Sequence, residues 1–228
     1  MSQKINPTSF RIGQQLSWNI VHQSYGKKLL NSSLDIFKLG FFLFLFNRLS
    51  KYLVSNSFNF CVLPHKFFIV TLLTHLNVTK KKLFLEKHTY CVLTKFKNWY
   101  PIESNFLFFV SSNEFCSAQA ISFYFNILVK EKIIFRKALL ILINLLTSQL
   151  QTKKIIYSKF GVKKIKFKGF KVKLTGRFEN SKNQMSKNME HIVGSLSLLS
   201  IESYTEFSEL NIYSKLGVCN FKIWLFYQ

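Results

Sequence analysis

Lys163, Lys164, Lys166, Lys168, Lys171, Lys173 and Arg177 stand in a stretch, residues 153–177, that also holds Lys153, Lys154 and Lys159 and contains no aspartate or glutamate. Within it Ile165 and Phe167 alternate with lysines, Gly169 resets the register, and Phe170, Val172 and Leu174 then alternate with Lys171, Lys173 and Thr175. A period of two predicts a strand with one buried apolar face and one cationic face. The chemistry open to such a face is contact with phosphates, which releases counterions and makes affinity fall steeply with salt. The alternative is a solvated charge run on an exposed strand; the absence of a balancing acid in the run favours phosphate. A second cationic cluster, Lys130, Lys132, Arg136 and Lys137, opens an apolar stretch and could either touch phosphate or cap a solvated helix face.

Other chemistry finds no constellation. The glycines form no G-x-G-x-x-G or Walker loop, and neither G-x-S-x-G nor H-E-x-x-H occurs. Asp35 is the sole aspartate, and Glu202, Glu206 and Glu209 lie in a serine-rich stretch that reads as a solvated acidic cluster rather than an acid–base pair. Cys61, Cys91, Cys116 and Cys219 are scattered, as are His22, His65, His75, His88 and His191. The cysteines read as reduced buried residues, and no metal ligand set or cofactor is expected. The chain does not read as an enzyme.

The elements that must position the cationic residues follow from the wider pattern. With 32 Lys+Arg against 10 Asp+Glu, the 228-residue chain has a net charge of +22 and needs a polyanionic partner to offset self-repulsion. At 48% hydrophobic residues it is not a disordered basic tail and should have a folded core. The chain has 26 Phe, while its only alanines are Ala118, Ala120 and Ala138 and its only arginines Arg11, Arg48, Arg136 and Arg177. Phe, Lys, Asn and Ile have AT-rich codons, so drift in an organelle genome explains this bias without assigning a role to any single Phe.

Residues up to about Trp18 read as an extended arm with turn signals at Asn6-Pro7 and Gly13. A mixed region punctuated by Pro64 and Pro101 follows. Residues 117–150 lack Pro and Gly and predict one long helix or two. The run Phe221 to Phe226 reads as a closing strand. The apolar runs 40–46 and 138–146 fall short of the roughly 20 residues a membrane span needs, and basic residues bracket both.

Against this background five segments resemble one family. Gln3-Lys4-Ile5-Asn6-Pro7-Thr8-Ser9-Phe10-Arg11-Ile12-Gly13 is similar to the opening G-Q-K-x-x-P-x-G-x-R-x-G of small-subunit ribosomal protein S-three. Ser117 to Ser122 with Phe135-Arg136-Lys137-Ala138 resembles the family's helix pair ending in F-R-R-A. Lys168 to Arg177 resembles its K-G-I-x-V-x-V-S-G-R strand, and Tyr213 to Gly217 with Phe221 to Trp224 resembles its closing Y-G-x-I-G-V-K-V-W, with about two extra residues at Cys219-Asn220. The match begins at Met1, which is expected of a chain made inside the organelle without a cleavable presequence.

The resemblance implies an α+β chain with an N-terminal arm (1–32), a degenerate KH-like domain and following helix (33–129), and a C-terminal domain of helix plus mixed β-sheet (130–228). KH modules clamp phosphates with a G-x-x-G loop, and no two glycines here stand at that spacing. It also implies a structural constituent of the mitochondrial ribosome, in the head of the small subunit, lining the channel through which mRNA enters. Arg136 and Lys137, supported by Lys130 and Lys132, would face mRNA, with Leu140 in place of the family's third basic residue. Lys4, Arg11 and the 163–177 cations would bind rRNA, and proteins of the S-ten and S-fourteen families would be neighbours. The competing reading is a basic protein attached to an organellar inner membrane.

Overall fold

A computed structural model describes residues 5–13, 16, 18, 20–22, 53–62, 66–75, 94, 103–110, 117–158, 161–178, 185–198 and 200–228. The chain divides into two compact units, residues 19–116 and residues 1–18 with 117–228. The divisions fall at 18/19 and 116/117.

The middle unit holds a sheet of order β1-β2-β3-β4, formed by Ile20–His22, Leu53–Val62, Lys66–His75 and Glu103–Val110. β2 and β3 are antiparallel, whereas β1–β2 and β3–β4 are parallel. A parallel pair needs a crossover, and residues 76–102 provide the length for one.

In the other unit, α1 (Pro7–Arg11), α2 (Ala118–Lys130) and α3 (Phe135–Ser148) accompany a five-stranded sheet. The sheet comprises β5 (Lys153–Ser158), β6 (Gly161–Gly176), β7 (Lys187–Gly194), β8 (Tyr204–Ser214) and β9 (Gly217–Tyr227), in the order β5-β6-β9-β8 with β7 also paired to β6. All the pairings are antiparallel.

Within the extended arm expected at the N-terminus, Pro7–Arg11 is a short helix. Asn6 caps it by accepting from the Thr8 amide at 3.0 Å, and Pro7 sits in its first turn, where its missing N–H costs nothing. α1 packs against β8.

Of the one helix or two expected over 117–150, the structure has two. Ser117 caps α2 by accepting from the Ala120 amide at 3.2 Å. At the other end the Lys132 amide donates to Val129 and the Ile133 amide to Leu128, with Lys132 at φ 63°. That pattern closes a helix with one residue in the left-handed region, a place glycine usually takes. α2 and α3 bury Ile121, Phe125, Leu128, Leu139, Leu142 and Leu146, and Phe125 stacks on Phe221 of β9 at 4.2 Å between ring centres. The apolar run 138–146 is thus spent on this core.

Gly169 shifts the register of β6 against β9 between Phe167 and Gly169, which moves the buried set from Ile165 and Phe167 to Phe170, Val172 and Leu174. Gly169 lies opposite Gly194 on β7, and a side chain on Gly194 would fall 2.2 Å from the Lys168 carbonyl oxygen. This crossing therefore requires glycine.

Candidate nucleic-acid interface

The cationic strand forms as its alternation predicts, but its lysines are not equivalent. Lys164, Lys166 and Lys168 are exposed, and no acid pairs with them among the described residues. Across the β5–β6 pairing Lys153 stands opposite Lys166, and the exposed Ile155 opposite Lys164, so one side of this ribbon is cationic with aliphatic residues between. Lys163 is also exposed, yet it has the strand parity of Ile165 and so belongs to the other face. Arg177 lies past the end of β6, half-buried, and its Nε is enclosed.

Beyond Gly169 the outward face is organised in transverse rows. Lys173 of β6 stands opposite Glu190 of β7 and Lys222 of β9, and Lys222 opposite Glu209 of β8, a row reading Glu190, Lys173, Lys222, Glu209. Glu190 pairs with Lys171 and, at 3.8 Å, with Lys173, while Glu209 pairs with Lys222 at 2.9 Å. The expectation that no acid offsets these lysines is therefore corrected for Lys171 and Lys173. Their partner comes from another strand, outside the acid-free run.

The Lys171 hydrogen bond, helped by the charges of Lys171 and Lys173, holds the Glu190 carboxyl below its ordinary value of 4.5. Hydrogen bonds from Lys222 and Asn220 do the same for Glu209. A depressed folded-state pKa contributes stability above the unfolded value that is lost as pH falls through the folded value. Thermal midpoints should accordingly drop below about pH 4.5, less so for Glu190→Gln. That variant also releases Lys171 and Lys173 at neutral pH. Its log K against log salt slope for RNA should steepen by up to about 1.4, at about 0.7 per added phosphate contact on a single strand. An unchanged slope in a filter-binding titration would show that these two lysines stay out of reach of RNA.

The second cluster comes together at the α2–α3 turn. Lys130 ends α2, Lys132 occupies the left-handed position, and Arg136 and Lys137 begin α3; all four are exposed. Residues one turn apart on a helix share a direction, and Leu140, 57% exposed, continues the Arg136–Lys137 side without charge.

No family model matches the chain. A curated relative, the small ribosomal subunit protein uS3m of Chondrus crispus, is 32% identical over 243 aligned positions, which cover 100% of this chain and 94% of the relative. The chain belongs to the S-three family of small-subunit ribosomal proteins.

Within this S-three chain, the opening motif has a use that the sequence did not reveal. Arg11, expected at an rRNA contact, is 1% exposed and therefore unavailable for one. Its Nε donates to the Ser203 carbonyl at 2.9 Å, Nη1 to the Pro7 carbonyl at 3.0 Å and Nη2 to the Ser200 carbonyl at 2.7 Å, with Leu198 at 3.2 Å. The guanidinium thus ties α1 to the segment entering β8. Lys4 lies outside the described residues.

The supposed acidic cluster is also dispersed. Glu206 accepts from the Ala118 amide at the start of α2 and from the Tyr204 hydroxyl, and it pairs with Lys154 of β5. Burial and the Glu206 charge push the Tyr204 hydroxyl pKa upward, which keeps it a hydrogen-bond donor. Glu209 faces the opposite side of the sheet, and Glu202 is exposed before β8 begins.

Proposed function

We propose that this S-three chain is a structural constituent of a mitochondrial small ribosomal subunit, seated in the head, where it binds rRNA and lines the channel through which mRNA enters. The observation that carries the channel assignment is the α2–α3 turn. Lys130, Lys132, Arg136 and Lys137 are all exposed around it, with the F-R-K-A motif at the start of α3. Arg136 can bond a phosphate bidentately and Lys137 acts as a point charge, a pairing that reads backbone without regard to base. Leu140 removes the third charge, so strand separation should be weaker than in family members that keep it. The Lys164, Lys166 and Lys168 ribbon is the rRNA-facing surface. In the middle unit, the β2–β3 hairpin and the parallel β4 support a KH-like core that lacks a G-x-x-G clamp. S-ten and S-fourteen proteins are the proposed neighbours, and the amino-acid bias toward residues with AT-rich codons supports an organelle gene and a matrix location. Among the described residues no helix is long and apolar enough to cross a membrane.

The test is Arg136→Ala with Lys137→Ala in assembled subunits. Their mRNA affinity should lose about 1.4 units of salt slope, for two phosphates at about 0.7 each, and structured messages should be translated severalfold more slowly with assembly intact. Structured messages read at the parental rate would remove the channel assignment.

A further inference from the structure

We infer that the outward face of β9 and β8 is a stacking platform for an unpaired RNA base, centred on Trp224 and Phe207. This deepens the RNA-binding reading above and rests on it. Trp224 and Phe207 are directly opposed across the β8–β9 pairing, both half-buried, with ring centres 5.2 Å apart. Lys171 opposes Trp224 on the other side, its Nζ 5.6 Å from the ring centre, and the exposed Ile192 of β7 completes that row.

One row beyond the charged Glu190–Glu209 row, Asn220 and Asn211 face each other, with Asn220 Nδ2 donating to Asn211 Oδ1 at 2.7 Å. Their amides are the groups that read base edges. The occupant follows from charge. The outward side chains of β6 form a line running from Lys164 and Lys166 past Lys168 to Lys171 and Lys173, and Glu190 and Glu209 are already neutralised by Lys171 and Lys222. A strand of RNA following the lysines arrives at the two rings. Aromatics on an open sheet that stack bases beside cationic residues are a common means of holding single-stranded RNA. A duplex keeps its bases stacked and offers none to the rings.

The chain has three tryptophans, so Trp18→Phe with Trp99→Phe makes Trp224 the sole reporter in the full-length protein. A ten-nucleotide oligoadenylate should quench its emission, and an RNA duplex of equal length should not. Phe207→Ala and Trp224→Ala should each weaken oligoadenylate binding by about tenfold without changing the salt slope, because no phosphate contact is lost. Trp224→Phe should retain most of the affinity, and Phe207→Ala decides the matter if Trp224→Ala does not fold. Unquenched Trp224, or Phe207→Ala binding like the parent, overturns the platform. Emission that responds only to added small-subunit proteins overturns it too, and assigns the face to a protein contact. Failure of the wider RNA reading is separate: alanines at Lys164, Lys166 and Lys168 would then leave RNA binding unchanged.

Discussion

Arg11→Ala should lower the unfolding free energy of the unit formed by residues 1–18 and 117–228 by about 3 kcal/mol, because several buried carbonyls lose a charged donor together. The Arg11 side chain is buried without an acidic partner among the described residues, and its charge is met by the carbonyl dipoles of Pro7, Leu198, Ser200 and Ser203. Ser203 adds a second layer, its single hydroxyl proton shared between the carbonyls of Ser200 at 2.9 Å and Ser197 at 3.0 Å. Alanine leaves these carbonyls to whatever water can enter. Lysine should not rescue, since a single ammonium cannot span acceptors on both α1 and the 197–203 segment as a planar fork does. The loss should appear in urea denaturation. Limited proteolysis should show early cleavage within 195–203, the signature of local opening. A denaturation midpoint equal to the parent's would mean that the guanidinium braces nothing.

Arg11 also shows what a sequence conceals. A cation two residues before a turn glycine reads as surface, and nothing local points to carbonyls nearly two hundred residues away. One signal was available: lysine supplies almost all the charge of this chain, so an arginine kept at position 11 marks a task that lysine cannot perform. The lysine strand was legible for the opposite reason. Its alternation is a local property of one strand, and the reset at Gly169 is visible because a single residue breaks the period; the register shift between Phe167 and Gly169 follows it.

What that strand could not disclose is its neighbours. Glu190 becomes the partner of Lys171 and Lys173 only through the β6–β7 pairing. Glu206 and Glu209 separate because positions three apart on a strand point to opposite faces. The helical stretch 117–150 was readable as one helix or two, but the residue that breaks it was not. Lys132 takes the left-handed position without the glycine that would have announced it. The packing of α2 on β9 was hidden in the same way, since the ring of Phe125 that stacks on Phe221 is one Phe among 26 in the sequence.

Lys164→Ala, Lys166→Ala and Lys168→Ala combined should produce the largest functional loss of any surface change in this protein. These side chains stand on one outward line of β6, exposed and unpaired among the described residues, and their removal touches no buried contact. Stability should therefore stay within about 0.5 kcal/mol of the parent. Each lysine that neutralises a phosphate contributes about 0.9 to the log K against log salt slope on a duplex and about 0.7 on a single strand. The triple variant should thus lose about 2 to 2.7 units of slope, and affinity for rRNA fragments at low salt should fall at least a hundredfold. Lys171 and Lys173, held by Glu190, should contribute less: alanine at both should reduce the slope by under about one unit. In cells the triple variant should leave the assembled particle at lower salt than the parent in sucrose gradients. If the Lys171–Lys173 pair matters as much as the Lys164–Lys166–Lys168 line, Glu190 yields its lysines to RNA on binding. The division of the face drawn from the ion pairs would then be wrong.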